Sequence, residues 1–460
     1  MRTSAWATTV LATLALSVAA APATAAADEP EVVSYAGYQV FRVKTHGKTP
    51  AVEEKLSSIK YDAWHHDFQN IDIVLAPAEV DAFKKLQLDY VVMHKDLGSS
   101  ISTEAAAAPP AAAAGAKKDK RQLDDESWFD SYHNYEDHIQ YFRSLQAAFP
   151  NNSALVSSGK SYQGRDIFGL HLWGAGGPGK PAVLYHGTVH AREWISAPTV
   201  EYITQQLIKG YTTGDQEVTS VLNKYDFHIF PIVNPDGFIY TQVADRLWRK
   251  NRQPPPAGAP NQSCVGRDIN RNWEFGWDSN PLGASTNPCS QTYKGAAPSD
   301  SPENKGLDTY MRKLRDLPGG GGIKLYIDWH SYGQYILSPF GYKETLYAPE
   351  LGKWTKAAAM VSEAIRDSTP DRATYVFGPS GATLYTTTGA APDHAYSIGR
   401  AQFSYTIELR DTGDFGFVLP PGQIRNTAVE NWAGQRVLWS LLDEVFFDGT
   451  GPAQLYQGIV

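Results

Sequence analysis

The chain has 460 residues, of which 42% are hydrophobic, so it is long enough to form two domains with ordinary cores. The formal net charge of −8 excludes the basic surface that a nucleic-acid partner requires. After the first 27 residues no apolar run is long enough to cross a bilayer, so we expect no membrane partner either.

The N-terminus has the pattern of a secretory signal peptide. Met1-Arg2 leads into an apolar run over residues 5–18, and an Ala-rich segment follows. A charged start, a short apolar stretch and small residues in an Ala-x-Ala arrangement are typical of such peptides. We therefore predict a signal peptide at approximately residues 1–27 and a secreted, extracellular protein.

Residues 28–98 are predicted to form a small domain. Strand and helix patterns alternate in the order βαββαβ, with strands near residues 39–43, 62–68, 71–75 and 90–93 and helices over 51–59 and from Pro77. This order is typical of a small open sheet covered by two helices, an open sandwich.

Residues 99–121 are predicted to be a linker. Most of residues 105–116 are Ala, Pro and Gly, which bury little surface, and the segment ends in Lys120-Arg121. A dibasic pair between a small and a large domain indicates a cleavage site for an activating protease, although a solvated charge run is the alternative. We therefore interpret residues 28–121 as a propeptide.

Residues 122–460 are predicted to form the large domain. Strand-like runs lie near 167–172, 182–185, 227–233, 323–328 and 403–409, and helical patterns lie near 135–149, 197–207, 302–314, 354–365 and 426–446. Alternating strands and helices predict an α/β sheet with helices on both faces.

The chain has two cysteines, Cys264 and Cys289. In a secreted chain an isolated pair predicts one disulfide, with two buried free thiols as the alternative. Asn151 and Asn261 lie in possible N-glycosylation sequons.

Two histidines lie at the ends of apolar strand patterns. His190 and Glu193 follow the run 182–184, and His330 ends the run 325–329. Three such ligands with one open position define a catalytic zinc site, in which the metal activates water. His190 and Glu193 alone would more often be a surface pair. His186 lies four residues before His190, but Gly187 interrupts any shared helix, so we do not expect it to bind metal.

A hydrolytic metal site also needs a base and cationic groups. Glu408 ends the strand pattern 403–409 and is a candidate base, with a salt bridge to Arg410 as the alternative. Arg249 and the pair Asn270-Arg271 are candidates for binding anionic groups, because arginine binds carboxylates with two parallel hydrogen bonds. Each arginine alone could equally form a surface ion pair.

Together these motifs make the chain resemble zinc metallocarboxypeptidases of the pancreatic A/B type, with their own prosegment. The matching motifs run in the family's order across residues 127–448: His190-Ala-Arg-Glu-Trp194, Asn234-Pro-Asp-Gly-Phe238, Arg246-Leu-Trp-Arg-Lys250, Asp268-Ile-Asn-Arg-Asn-Trp273, His330-Ser-Tyr332, Tyr385 and Glu408-Leu-Arg-Asp-Thr-Gly413. The resemblance implies a mixed sheet, one zinc ion per chain and peptide C-termini as substrates. It also implies a monomer that its own propeptide inhibits.

The resemblance also implies a role for each residue of the site. His190, Glu193 and His330 would hold zinc, Glu408 would be the general base, and Arg249 would stabilise the oxyanion. The remaining residues would bind substrate: Asn270 and Arg271 its terminal carboxylate, Tyr385 as a lid, and Arg192, Ser331 and Tyr332 further out in the cleft. Cys264 and Cys289 match the family's disulfide positions.

The preferred C-terminal residue depends on the base of the specificity pocket, which the resemblance assigns to Pro392. An uncharged residue there predicts release of aromatic or aliphatic residues. If the loop after Tyr385 were shifted by one residue, Asp393 would reach the pocket and favour Lys or Arg.

Two further functions compete with a carboxypeptidase: a non-catalytic relative that only binds peptides, and a zinc amidase on the same kind of scaffold. The retained metal ligands and base oppose the first function. The Asn270-Arg271 pair opposes the second, because it suits a free carboxylate.

Overall fold

A computed structural model of the chain describes residues 31–106, 123–259 and 261–444. The predicted signal peptide and the Lys120-Arg121 pair lie outside these residues. Within the described ranges, every helix is too short or too polar to cross a membrane.

The N-terminal region forms a four-stranded antiparallel sheet in the spatial order β2-β3-β1-β4. Its elements follow the predicted βαββαβ order: β1 (Gln39–Lys44), α1 (Thr49–Leu56), β2 (Asp62–His66), β3 (Asn70–Leu75), α2 (Pro77–Lys85) and β4 (Tyr90–His94). The two helices bury Leu56 and Phe83 against Phe41, Val43 and Ile73 of the sheet.

A helix, α3 (Leu97–Ala106), occupies the first part of the segment that we predicted to be linker. Its turns contain Ser, Thr, Glu and Ala, which a helix tolerates, and buried Glu104 bonds to Arg246 far along the chain. A tertiary ion pair therefore holds this helix within the segment that we predicted to be linker.

The large domain contains an eight-stranded mixed sheet in the order β11-β10-β12-β9-β7-β8-β6-β5. Strands β12, β9, β7 and β8 are parallel neighbours, whereas β8, β6 and β5 pair antiparallel. The strand bounds are β5 (Ser153–Lys160), β6 (Asp166–Leu172), β7 (Ala182–Gly187), β8 (Asp226–Phe230), β9 (Ile323–Ser331), β10 (Tyr335–Ser338), β11 (Val376–Pro379) and β12 (Phe403–Leu409).

Helices cover both faces of this sheet, as predicted. Their bounds are α4 (Tyr135–Ala148), α5 (Ser196–Thr213), α6 (Gln216–Lys224), α7 (Pro235–Val243), α8 (Pro302–Arg315), α9 (Leu351–Ser368), α10 (Ser380–Thr383), α11 (Ala391–Ser397) and α12 (Ile424–Leu441). Helices α4, α5, α9 and α12 pack on one core, and α8 and α11 pack on the other.

Several short elements had no clear signal in the sequence. The edge strands β5 and β11 and the neighbouring strand β10 are short or contain polar residues and glycine, so their apolar periodicity is weak. Helix α7 is absent from the predicted helical patterns, and the Asn234 side chain caps it by accepting a hydrogen bond from the Gly237 N–H at 3.1 Å.

The predicted disulfide between Cys264 and Cys289 is confirmed. It closes a segment that contains a short 3₁₀ turn, Ile269–Arg271. The disulfide therefore ties down the loop that carries Asp268, Asn270 and Arg271.

The sheet brings the predicted site residues to one edge. Strands β7, β9 and β12 are adjacent and parallel, so their carboxyl ends lie side by side. Glu408 of β12 is the direct register partner of His330 of β9, and Gly187 of β7 is the partner of Trp329. In open α/β sheets this edge is where ligands bind.

Candidate active site

Three donor side chains meet at the carboxyl edge of the sheet. His190 Nδ1 lies 2.8 Å from Glu193 Oε1, His330 Nδ1 lies 2.9 Å from Glu193 Oε2, and the two Nδ1 atoms are 3.1 Å apart. All three residues are buried. Nitrogen and oxygen ligands at about 2.0–2.2 Å from a zinc ion lie roughly 3 Å from one another, so this triangle fits zinc.

Glu193 comes from a turn. The chain leaves β7 at Gly187, and α5 begins only at Ser196, so His190 and Glu193 lie in the connection between the strand and the helix. The Glu193 N–H donates to the His190 carbonyl at 3.1 Å, which closes the turn and directs both side chains to one point.

Two aspartates that the sequence analysis missed orient the histidines. His190 Nε2 lies 3.1 Å from Asp268 Oδ1, and His330 Nε2 lies 2.8 Å from Asp328 Oδ2. If each Nε2 donates its hydrogen, each Nδ1 keeps a lone pair that points at the metal position, as in carboxylate–histidine–zinc triads. Asp328 lies two residues before His330 on one face of β9, which was the available sequence signal.

The electrostatics of this cluster suit a cation. Burial raises the pKa of Glu193, but His190 and His330 outweigh it and hold that pKa below its usual range. Burial lowers the pKa of His330, whereas Asp328 and Glu193 raise it well above normal. In the absence of metal His330 therefore holds a proton, and metal binding releases it.

Glu408 lies beside this cluster and lines the same cavity. Burial, opposed by His330 and reinforced by Glu193, raises its pKa to about 8. Arg410, the alternative salt-bridge partner, points elsewhere and donates to both oxygens of Glu430 at 2.9 Å. The Glu408 carboxylate is therefore left for the cavity.

The predicted cationic groups surround the same space. Arg249 donates to Asp268 Oδ2 through Nη2 at 2.9 Å, and its Nη1 lies 3.9 Å from Glu193 Oε1. Arg271 donates through Nη1 to the Asn270 carbonyl at 2.8 Å, but its Nε is buried without a hydrogen-bond partner. A buried guanidinium N–H without a hydrogen-bond partner destabilises the folded protein unless a ligand accepts the bond.

The remaining predicted residues line this cavity: Arg192, Asn270, Ser331, Tyr332, Tyr385 and Pro392. Phe417, which the sequence analysis did not single out, also lines it, and its ring lies 4.1 Å from the Arg192 guanidinium carbon. A lone phenylalanine in a loop carried no signal that distinguished it from core residues.

His186 is not part of the cluster. Its Nδ1 lies 3.0 Å from the Tyr326 hydroxyl inside the sheet core, and burial lowers its pKa to about 4. The expectation that it does not join the metal ligands agrees with this position.

The fold and the site define a metal-dependent hydrolase: a buried His-Glu-His cluster, a nearby glutamate, and arginines at the carboxyl edge of a mixed sheet. The family described as zinc carboxypeptidase matches residues 138–434 of the chain.

Known proteins and structures agree with this class. The chain is 40% identical over 409 residues to metallocarboxypeptidase A of Trichophyton tonsurans, covering 87% of this chain and 92% of that protein. It is 36% identical over 319 residues to carboxypeptidase B of Astacus astacus, covering 69% and 98%. The carboxypeptidase A structure from Helicoverpa armigera matches with a TM-score of 0.73 and 27% identity, covering 89% of this chain and 98% of that one. Thrombin activatable fibrinolysis inhibitor matches with a TM-score of 0.75 and 25% identity, covering 88% and 99%.

The chain therefore belongs to the zinc carboxypeptidase family. It is a zinc-dependent peptide hydrolase that acts as an exopeptidase on peptide C-termini.

Proposed function

We propose that this chain is a secreted carboxypeptidase made as a zymogen, with a preference for aromatic or aliphatic C-terminal residues. The observation that carries the assignment of the site is the Arg271 guanidinium. Its Nε is buried and lacks a hydrogen-bond partner beside the His-Glu-His cluster. A substrate carboxylate would satisfy this donor, so only the last residue of a peptide would be positioned for cleavage.

His190, Glu193 and His330 would hold the zinc ion. When bound, zinc would supply a Lewis acid that polarises a carbonyl and lowers the pKa of water toward neutrality. Glu408 would take a proton from the attacking water at its carboxylate and deliver it to the leaving amine nitrogen. Burial raises the pKa of Glu408, which makes its carboxylate a stronger proton acceptor.

Arg249 would stabilise the oxyanion. Asp268 holds its Nε and Nη2 at 3.1 and 2.9 Å, so the guanidinium is fixed before substrate arrives. A preorganised donor of this kind contributes about 3–4 kcal/mol to stabilising an oxyanion.

The specificity pocket supports an apolar preference. Its lining includes Leu337, Gly341, Thr387, Pro392 and Thr406. Asp393 also lines this cavity, but both of its oxygens accept the Gly341 N–H, at 3.0 and 2.9 Å, which directs the carboxylate toward the backbone. Burial, opposed by the backbone N–H groups of residues 341 and 342, raises the Asp393 pKa to about 7.

Contacts of the N-terminal sheet support the zymogen. Trp64, His65 and His66 line the same cavity as the catalytic groups. Asp72 accepts the Tyr332 hydroxyl at 2.6 Å, across a separation of 260 residues. The N-terminal sheet therefore lies over the cleft where substrate would enter.

Glu104 of α3 forms a second connection between the two regions. Its two oxygens accept Arg246 Nε at 2.6 Å and Nη2 at 2.8 Å, and both residues are buried. Breaking such a pair costs about 3–5 kcal/mol, because one charge stays buried and unpaired. Release of the N-terminal region would therefore require cleavage, which we place at Lys120-Arg121.

The test is a release assay on matched peptides ending in Phe, Leu, Lys and Glu, with free or amidated C-termini, before and after cleavage at Arg121. We expect activity only after cleavage, only on free carboxylates, and faster with Phe and Leu than with Lys at both pH 6 and pH 8. Equal rates on amidated peptides would contradict the exopeptidase assignment. Lys release that overtakes Phe release above pH 7 would show that ionised Asp393 serves the pocket.

A further inference from the structure

A second group of potential metal ligands lies away from the active site, on the antiparallel side of the large sheet. His171 of β6 and His228 of β8 are direct register partners, and Asp226 lies two residues before His228 on the same strand. Because side chains alternate along a strand, all three project from one face. One donor atom from each lies within 4.8 Å of the others.

Two of these donors are buried without a hydrogen bond. Asp226 is 1% exposed, and its Oδ1 lacks a hydrogen-bond partner, as does His171 Nε2. Asp226 Oδ2 is already fixed, because it accepts the Gly179 N–H at 2.6 Å and the Lys180 N–H at 3.2 Å. The carboxylate is therefore held by the backbone while one of its oxygens stays available.

Both imidazole rings are held in place by polar neighbours. His171 Nε2 lies 3.2 Å from Asp226 Oδ2, and His228 Nδ1 lies 2.8 Å from the Tyr310 hydroxyl, which holds its ring from α8. The rings are stacked with centroids 4.0 Å apart.

The nearest cation is Lys180, whose Nζ lies 3.6 Å from Asp226 Oδ1. The same Nζ also donates to the Gly177 carbonyl, so it is shared between two acceptors. His171 and Lys180 are partly exposed, at 15% and 17% of their side chains, which leaves a path from solvent.

We propose that His171, Asp226 and His228 form a second metal site, which binds a divalent first-row transition ion such as zinc. Two imidazole nitrogens and one carboxylate oxygen suit such borderline ions better than Ca²⁺ or Mg²⁺. To bind an ion, the two rings must leave their stack and Asp226 must give up its contact with Lys180, so binding is weaker than at the catalytic cluster. This site does not depend on the proposed specificity or on zymogen activation.

The test is zinc titration of the chelator-stripped full-length chain, followed by calorimetry. We expect two equivalents per chain, the second at least 100-fold weaker than the first. His171→Gln should remove only the weak equivalent and leave the first unchanged, which also shows that the variant folds. Lys180→Met should tighten the weak equivalent about threefold, because a competing positive charge is removed.

Two further variants locate the weak equivalent. Glu193→Gln should weaken the first equivalent and spare the second. His46→Asn is the matched control: His46 is exposed, pairs with Asp89 and has a positive φ of 50° that Asn tolerates, so both equivalents should remain. A single equivalent in the unsubstituted chain would overturn the proposal, and so would a weak equivalent that survives both His171→Gln and Asp226→Asn.

Discussion

Among the residues that the structure describes, two clusters contain two histidines and one carboxylate, and they differ in how their donors are held. At the catalytic cluster of His190, Glu193 and His330 the three closest donor distances are 2.8–3.1 Å. At the sheet-edge cluster of His171, Asp226 and His228, His171 Nε2 lies 3.2 Å from Asp226 Oδ2, but the two imidazole rings are stacked with centroids 4.0 Å apart.

The groups that contact the histidines of each cluster explain this difference. At the catalytic cluster a buried aspartate contacts the Nε2 atom of each histidine. At the sheet-edge cluster His228 Nδ1 instead contacts a tyrosine hydroxyl, and His171 Nε2 contacts Asp226, which is itself a candidate ligand. A charge-assisted hydrogen bond is roughly twice as strong as a neutral one, so an aspartate fixes an imidazole better than a hydroxyl does. The same donor types thus give either a preorganised site or a loose one.

The largest expected effect is the loss of turnover on substitution of Glu408, which catalysis requires and metal binding does not. Glu408→Gln should lower kcat by about 10²–10⁴-fold, because the amide cannot accept a proton. Zinc content, measured by atomic absorption, should stay at the wild-type level. Glu363→Gln, on an exposed part of α9, is the control and should keep full activity. Loss of zinc from Glu408→Gln would mean that Glu408 is a ligand.

The next effect concerns His186, a buried histidine that belongs to neither cluster. Its folded pKa of about 4 lies below the usual 6.5, so the unfolded chain binds its proton first as the pH falls. The stabilising contribution is therefore complete above pH 6.5 and is lost toward pH 4, by ~3 kcal/mol in total.

His186→Gln should accordingly flatten the pH dependence of the free energy of unfolding between pH 6.5 and pH 4, measured with denaturant. Zinc content should not change, because the imidazole faces Tyr326 and not the catalytic cluster. An unchanged slope, or a loss of zinc, would contradict this assignment.

Removal of the aspartate that contacts a catalytic histidine should lower the zinc affinity of the catalytic cluster toward that of the sheet-edge cluster. Asp328→Asn should weaken zinc binding by about 10–100-fold, since His330 loses its charged partner. Chelator competition measures this change. Asp226→Asn is the matched substitution at the sheet-edge cluster and should leave the affinity of the tight equivalent unchanged.

The smallest effect should come from the Tyr310 hydroxyl, which contacts His228 of the sheet-edge cluster. Tyr310→Phe removes the only hydrogen bond described for the His228 side chain, and we expect about a threefold loss of affinity for the weak equivalent. A loss as large as that of Asp328→Asn would show that a hydroxyl orients a ligand as firmly as a carboxylate.

Much of the fold was predictable because the central strands are buried on both sides. Continuous apolar runs such as residues 182–185 and 323–328 predicted β7 and β9, and the position of His190 and His330 at strand ends predicted the cluster. Strand β10 and the edge strand β11 escaped detection because each has only four residues. Helix α3 escaped because its anchor, Arg246, lies far along the chain from Glu104.

The sequence by itself determined the types of the ligands, the disulfide pair and the alternation of strands and helices, because these depend on residue identity and local periodicity. Only the tertiary structure decided which donors meet. Register pairs Glu408 with His330, and folding brings Asp268 to His190 across 78 residues. It also brings His171 to His228, a pair that no spacing in the chain indicates. The physical reason is that metal binding requires donors to agree within ångströms, and chain packing alone sets distances between residues so far apart in sequence.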